Sequence, residues 1–255
     1  MSVEVLVSCM NQKNHSLLKK MKINSNAIFV NQCDKNCIEE FKYNDKNIKF
    51  MSLSERGVGL SRNTALMRAQ SDIVIFADED EIFTENYKKI ILKAFADNRR
   101  ADIILFNILS SNDDRKQFQI KKVKRIHKYN FAKFGAVRIA VKLNVLREKN
   151  IFFSLLFGGG AKYSNGEDSL FIMDCLKAHM KIYTCPEVIG TVEQNASTWF
   201  NCYTKKYFND RGILYKKLYG FNYVMRSIVF LIKIHHHYKK EISFFKAFKY
   251  MINSK

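Results

Sequence analysis

The sequence predicts an α/β protein, an α/β/α sandwich around a mostly parallel sheet. Three observations carry that expectation. Short apolar, β-prone runs alternate with stretches of helical periodicity across residues 1–110, polar or acidic residues follow directly on the runs, and four consecutive acids, Asp78-Glu79-Asp80-Glu81, close the most apolar of them. Val3, Val5 and Val7 open a first strand that ends at Met10-Asn11-Gln12. Ser16–Met21 reads as a short helix, Ala27–Asn31 as a second strand and Lys49–Leu53 as a third. Gly57–Ala69 carries Leu60, Ala65, Leu66 and Ala69 at helical spacing and leads into the strand Ile73–Ala77. Thr84 is the expected N-cap of a helix reaching Ala96, and Ile103–Ile108 is a further strand.

The second half is less regular. Lys116–Arg125 alternates loosely and is basic, and Val137–Val141 reads as a strand. Phe152–Asn165 reads as a loop rich in glycine and aromatics, and Gly166–His179 as a helix opening on Glu167 and Asp168. Acids in a first helical turn also serve simply as partners of the helix dipole. Beyond Thr198-Trp199-Phe200 the chain is helical, aromatic and basic.

Composition bounds the function classes. At 255 residues, with 47% hydrophobic and 26% charged, the chain can bury a core as one large domain or one domain plus an appendage. A net charge of +19 implies an anionic partner: nucleic acid, an anionic membrane surface or a phosphorylated substrate. The six cysteines are scattered, and the apolar run Val3–Met10 is too short for a secretory signal, so reduced thiols in a cytoplasmic protein are expected. Cys33 and Cys37 lack the second pair that a zinc finger needs. The most apolar tail segment, Ser227–Ile234, is interrupted by Arg226 and Lys233, so no spanning helix is expected.

The acids at the end of the Ile73–Ala77 strand carry the chemistry. Four like charges in a row repel, and a bound cation is one reason to place them there, because hard carboxylate oxygens suit Mg²⁺ or Mn²⁺. A solvated acidic turn is the alternative. In open α/β sheets ligands bind beyond the carboxyl ends of the strands, where Asn11, Asp34 and Asp78–Glu81 all fall. That convergence favours a site.

Taken in order, Val3–Gln12, Gly59-Leu60-Ser61-Arg62-Asn63 through Asp80, Phe157-Gly158-Gly159-Gly160 and Gly166-Glu167-Asp168 resemble the family 2 glycosyltransferases of GT-A fold, in particular bacterial enzymes of capsule and lipopolysaccharide assembly. The resemblance covers about residues 1–200. It implies a GT-A catalytic domain with a nucleotide-sugar half near 1–110 and an acceptor half near 111–200. A helical, basic-aromatic extension follows over 201–255.

The resemblance also implies roles. Asp78-Glu79-Asp80 matches the Asp-x-Asp motif, with Asp80 as direct metal ligand and Asp78 facing metal or ribose. Glu79 points away, because side chains alternate along an extended segment, and Glu81 is expected to be solvated. Arg62 lies near the donor, pairing with Asp78 or phosphate oxygens, or orienting the acidic loop as a salt bridge. Asp34 and Asn11 are donor-side candidates, although Asn31-Gln32-Cys33-Asp34 departs from the usual acidic pair and Asp34 alternatively caps a following helix. Arg56-Gly57-Val58-Gly59 is not a P-loop, lacking the Gly-Lys-Ser/Thr ending. Asp168 corresponds to the catalytic base, with Glu167 the alternative. Gly159, Gly160 and Trp199 are acceptor-side candidates. His235-His236-His237 point in different directions on a helix and do not make a metal site.

The implied activity is inverting, metal-dependent transfer of a hexose, galactose or glucose, from a UDP-sugar to a glycan or a polyprenyl-diphosphate-linked acceptor at the inner face of a bacterial membrane. In the tail, lysines alternate with aromatics, which suits helices on an anionic bilayer or a helical layer packed on the core. The rivals are a nucleic-acid-binding protein, which has no use for clustered acids, and a silent GT-A partner subunit.

Overall fold

The computed structural model of the protein describes residues 1–111, 118–193 and 202–254. Among these described residues nine strands form one sheet: β1 (Val3–Met10), β2 (Asn26–Gln32), β3 (Cys37–Tyr43), β4 (Lys46–Leu53), β5 (Ile73–Asp78), β6 (Glu81–Phe83), β7 (Ile103–Ser110), β8 (Ile139–Lys142) and β9 (Ile182–Val192). Their order is β3-β4-β2-β1-β5-β8-β7-β9-β6. β4, β2, β1 and β5 are mutually parallel, as are β7 and β9. β8 runs antiparallel between β5 and β7, and β3 and β6 are antiparallel edge strands. Six strands therefore point one way, and their carboxyl ends share one edge.

Helices cover both faces, and the short α4 (Leu143–Glu148) directly follows β8. α2 (Val58–Arg68) and α5 (Glu167–Lys177) pack Leu66, Phe171 and Ile172 against Leu6, Val30, Phe76 and Leu105. On the other face α1 (Leu17–Lys20) and α3 (Tyr87–Asp97) bring Leu17, Ile91 and Phe95 onto Val5, Val7, Phe29 and Ile75. The period-2 alternation sends Val5 and Val7 to one face and Leu6 to the other. Both faces are covered, so the parallel strands read as near-continuous apolar runs.

The expected elements form, except that the strand expected over Val137–Val141 begins only at Ile139, after a 3-10 turn over Ala136–Arg138, and with four further corrections. Thr84 does not cap α3: its N–H and Oγ1 both donate to the Ile189 carbonyl beyond β6, and Asn86 precedes the helix. No helix follows Asp34. The chain instead enters the hairpin β3–β4, turned by Asn44 and Asp45, which both have positive φ (48° and 60°). Asx residues tolerate this conformation, and the two-residue turn matches the twist of a hairpin. In the second half, β9 was hidden by Pro186. The proline sits opposite the register shift between Leu105 and Asn107, where Asn107 Nδ2 donates to its carbonyl. A bulge is where a strand tolerates the missing donor. Finally, Glu81 is buried rather than solvated.

The tail folds as α6 (Lys205–Tyr219), α7 (Tyr223–Tyr238) and α8 (Phe244–Ile252). Leu214 and Leu218 of α6 join the buried cluster around α5, while Phe208, Leu231, Tyr238, Ala247 and Met251 make a smaller core between the three helices. At the α6–α8 crossing a Cβ on Gly212 would lie 2.1 Å from the Met251 carbonyl oxygen. Gly212→Ala is therefore expected to push α8 off α6, at about 1–3 kcal/mol, with faster limited proteolysis of the tail. An unchanged digestion rate would show that the crossing has slack.

Candidate active site

The carboxyl ends of β1 and β5 lie side by side, with Ser8 opposite Asp78 in the register. α2 begins beyond β4 and runs back under this edge. Its Gly-x-Ser-Arg-Asn stretch acts residue by residue. A Cβ on Gly59 would sit 2.5 Å from the Ser154 carbonyl oxygen, so only glycine lets that loop approach. Ser61 Oγ donates to Ser8 Oγ at 3.0 Å. Asn63 exchanges two hydrogen bonds with the Phe153 backbone, at 2.9 and 2.8 Å. The motif is a seam between the halves of the chain.

Arg62 is the centre of that seam. Its side chain is 3% exposed, and its Nη2 donates to Asp78 at 3.0 Å while Nη1 reaches Asp168 at 2.9 Å and Glu167 at 3.3 Å. Its guanidinium lies 5.3 Å from the ring centroid of Phe153, which stacks on Phe171. Burial alone would lower its pKa, but the charges of Asp78, Asp168 and Glu167 outweigh burial and hold it above the ordinary arginine value. One cation thus joins the strand-end acids to the pair that opens α5.

The acids differ in state. Glu79 accepts from the Met10 N–H and from Gln12 Nε2, both at 2.9 Å, so it points away from the cluster and ties down the end of β1. Burial first, and the charge of Asp78 second, push Asp80 up to about 6 and Glu81 well above the ordinary glutamate value. Glu81 Oε1 accepts from the Asp78 N–H at 3.2 Å, while Oε2 has no partner among the described residues. Glu81 is thereby a buried acid that supports the turn, and burial favours its protonated form. Glu167 and Asp168 are also raised, in each case mainly by burial. Glu167 is raised further by Asp168, whereas Arg62 opposes the rise in both.

Asp78 and Asp80 are the residues available to hold a divalent cation. Their hard oxygens suit Mg²⁺ or Mn²⁺, and the repulsion from Asp78, which adds to burial in raising Asp80, is what a cation would relieve. Among the described residues no group of three or more His, Cys, Asp or Glu side chains is set to hold a metal. Two protein carboxylates leave further coordination positions to substrate oxygens and water, a common arrangement for Mg²⁺.

The remaining sequence candidates scatter. Asn11 is exposed at φ 51°, its N–H donating to the Gln32 carbonyl. Asp34 is exposed and paired with Arg56. Gly159 and Gly160 contact the start of α2: the Val58 N–H donates to the Gly159 carbonyl at 2.9 Å, and a Cβ on Gly160 would lie 3.1 Å from Gly57. Gly158, at φ 106°, leaves room for the Glu167 carboxyl, 2.9 Å from where its Cβ would be. Trp199 lies outside the described residues. Sequence reasoning missed Ser8 and Gln32, whose Oε1 accepts from the Gly57 N–H at 2.7 Å. Their position at the ends of β1 and β2 was the available signal.

No curated protein sequence matches the chain. Solved structures do, among them Staphylococcus aureus TarS 1-349 in complex with UDP-GlcNAc, at TM-score 0.67 and 16% identity over 94% of this chain and 74% of that one. The same fragment with UDP gives TM-score 0.61 and 16% identity, covering 96% and 74%. The longer S. aureus TarS structure gives 0.62 and 16%, covering 93% of this chain but 43% of that one. At this identity the likeness shows the fold, a GT-A-like α/β architecture. Residues 9–154 match the family described as Glycosyl transferase family 2. With the strand-end acids, the Arg62 seam and the acidic start of α5 in place, that match covers more than half of the chain, and the protein belongs to glycosyl transferase family 2.

Proposed function

We propose that the protein is an inverting glycosyltransferase that moves a hexose from a UDP-sugar to a hydroxyl of a growing bacterial surface glycan, of capsule or lipopolysaccharide type. The observation that carries this reading is Arg62, which holds Asp78 on the strand edge and Asp168 on α5 at 3.0 and 2.9 Å. Donor-side and base-side acids are thereby set around one point. The UDP and UDP-GlcNAc in the TarS structures support a uridine nucleotide as the donor carrier.

In this reading Asp78 and Asp80 hold Mn²⁺ or Mg²⁺, which when bound neutralises charge on the departing diphosphate. Asp168 removes the proton of the acceptor hydroxyl as that oxygen bonds to the anomeric carbon, and the bond from that carbon to the diphosphate oxygen breaks on the opposite face. Burial raises the Asp168 pKa and so strengthens it as a base. Arg62 lies between the two carboxylates and donates to both. Asn11 and Asp34 serve the nucleotide side. Gly159 and Gly160, with Trp199, serve the acceptor side, and the catalytic unit spans about 1–200.

The test is UDP release from UDP-galactose, UDP-glucose and UDP-GlcNAc with Mn²⁺, Mg²⁺ or EDTA. Asp80→Ala is expected to remove metal-supported release by about 100-fold or more, since even outer-shell ligand changes cost about 10–100-fold. Near-normal release by that variant would sink the metal assignment.

A further inference from the structure

We propose that α7 is a membrane-docking helix that lays its outer face on an anionic lipid bilayer. Phe221, just before the helix, and Met225, Val229 and Ile232 along it are 100%, 65%, 56% and 63% exposed. Their spacing of four, four and three residues puts them on one stripe of the helix. The opposite side, through Ser227, Leu231 and Tyr238, is buried against the tail core. An apolar stripe this large on a helix already packed by its other face needs a partner.

Charge identifies that partner. Exposed Arg226 and Lys233, seven residues apart, border one side of the stripe. Between residues 202 and 254 eleven lysines and arginines face only two acids, Asp210 and Glu241. Asp210 is used internally, accepting from Lys206 and from Ser164 at the start of the segment leading to α5. Apolar side chains bordered by unopposed cations match the acyl boundary and anionic head groups of a bilayer. α7 has 16 residues, and among the described residues no helix is long and apolar enough to cross a membrane. It therefore lies on the surface.

The placement has a consequence for catalysis. α7 packs on α6, whose Leu214 occupies the space that a side chain on Gly166 would need, directly before Glu167 and Asp168. A bilayer under α7 is one helix layer from the acid-bearing end of α5. This goes beyond the transferase reading, and vesicle binding is measured without turnover, so either can fail while the other stands.

The experiment is flotation of the full chain with phosphatidylcholine vesicles, with and without phosphatidylglycerol. Binding is expected only to the anionic vesicles and is expected to fall with added salt. Val229→Glu with Ile232→Glu should weaken it by about tenfold or more while leaving metal-dependent UDP release and the circular dichroism melting curve unchanged. Arg226→Gln with Lys233→Gln, which keeps the apolar stripe, should weaken binding and flatten its salt dependence. Absence of binding by the parent chain, or binding by either double variant as strong as the parent's, would overturn the proposal. So would light scattering that shows a dimer of the parent chain broken by Val229→Glu with Ile232→Glu, since a second copy would then cover the stripe.

Discussion

Arg62→Met is expected to destabilise the fold by about 3 kcal/mol, at the lower end of the cost of removing one partner from a buried ion pair. The guanidinium is the only cation within ion-pair distance of Asp78, Glu167 and Asp168 among the described residues. Methionine fills much of the space over Phe153, so packing is largely kept and the loss isolates the charge. Three carboxylates then face one another with no counter-ion. The side chains of Asp78 and Asp168 are 37% and 28% exposed, so water screens part of the repulsion and keeps the figure below the upper end of that range. Urea denaturation checks it: a lower midpoint at unchanged slope is expected, and Arg62→Lys should recover only part because a single ammonium cannot reproduce the fork. A midpoint unchanged in Arg62→Met would mean that the acids take up protons at no cost and that the seam is not electrostatic.

Asp168→Asn is expected to lower turnover by about 10²–10⁴-fold, the range general-base groups contribute, while UDP still binds in the presence of Mn²⁺. The amide preserves the shape and one hydrogen bond from Arg62 but accepts no proton. Burial raises the carboxyls of the Glu167–Asp168 pair. A base is active when deprotonated, so kcat/KM of the parent enzyme should fall with acidification at a higher pH than an ordinary aspartate would give. That acidic limb should vanish in Asp168→Asn. Normal turnover in that variant, combined with silence in Glu167→Gln, would move the base to Glu167. The small carboxyl of Asp168 lies beside Gly135, where an added Cβ would come within 3.4 Å of Oδ2, so the site has little room for a bulkier acid.

The parts of this protein legible in its sequence are those governed by burial on both faces of a sheet. β1, β2, β5 and β7 are apolar runs because helices cover both their sides, and the polar residues that stop them mark the edge where the acids gather. The edge strand β3 was not legible as an apolar run. Its Ile38 is 56% exposed and its residues are mostly charged or polar, as an unpaired edge demands. The Asn44-Asp45 turn was the signal that could have found it.

The sequence by itself determined the fold class, the strand-end position of Asp78-Glu79-Asp80-Glu81 and the acidic start of α5, because periodicity and turn chemistry act over a few residues. Only the tertiary structure decided which of these acids is buried, which faces Arg62 and which is tied away. Pairing of β6 with β9 buries Glu81, while the end of β1 captures Glu79. Arg62 meets Glu167 and Asp168 across more than a hundred residues of chain. The protonation of a carboxyl depends on the water and charges around it in space, and neighbours that distant in sequence leave no local pattern.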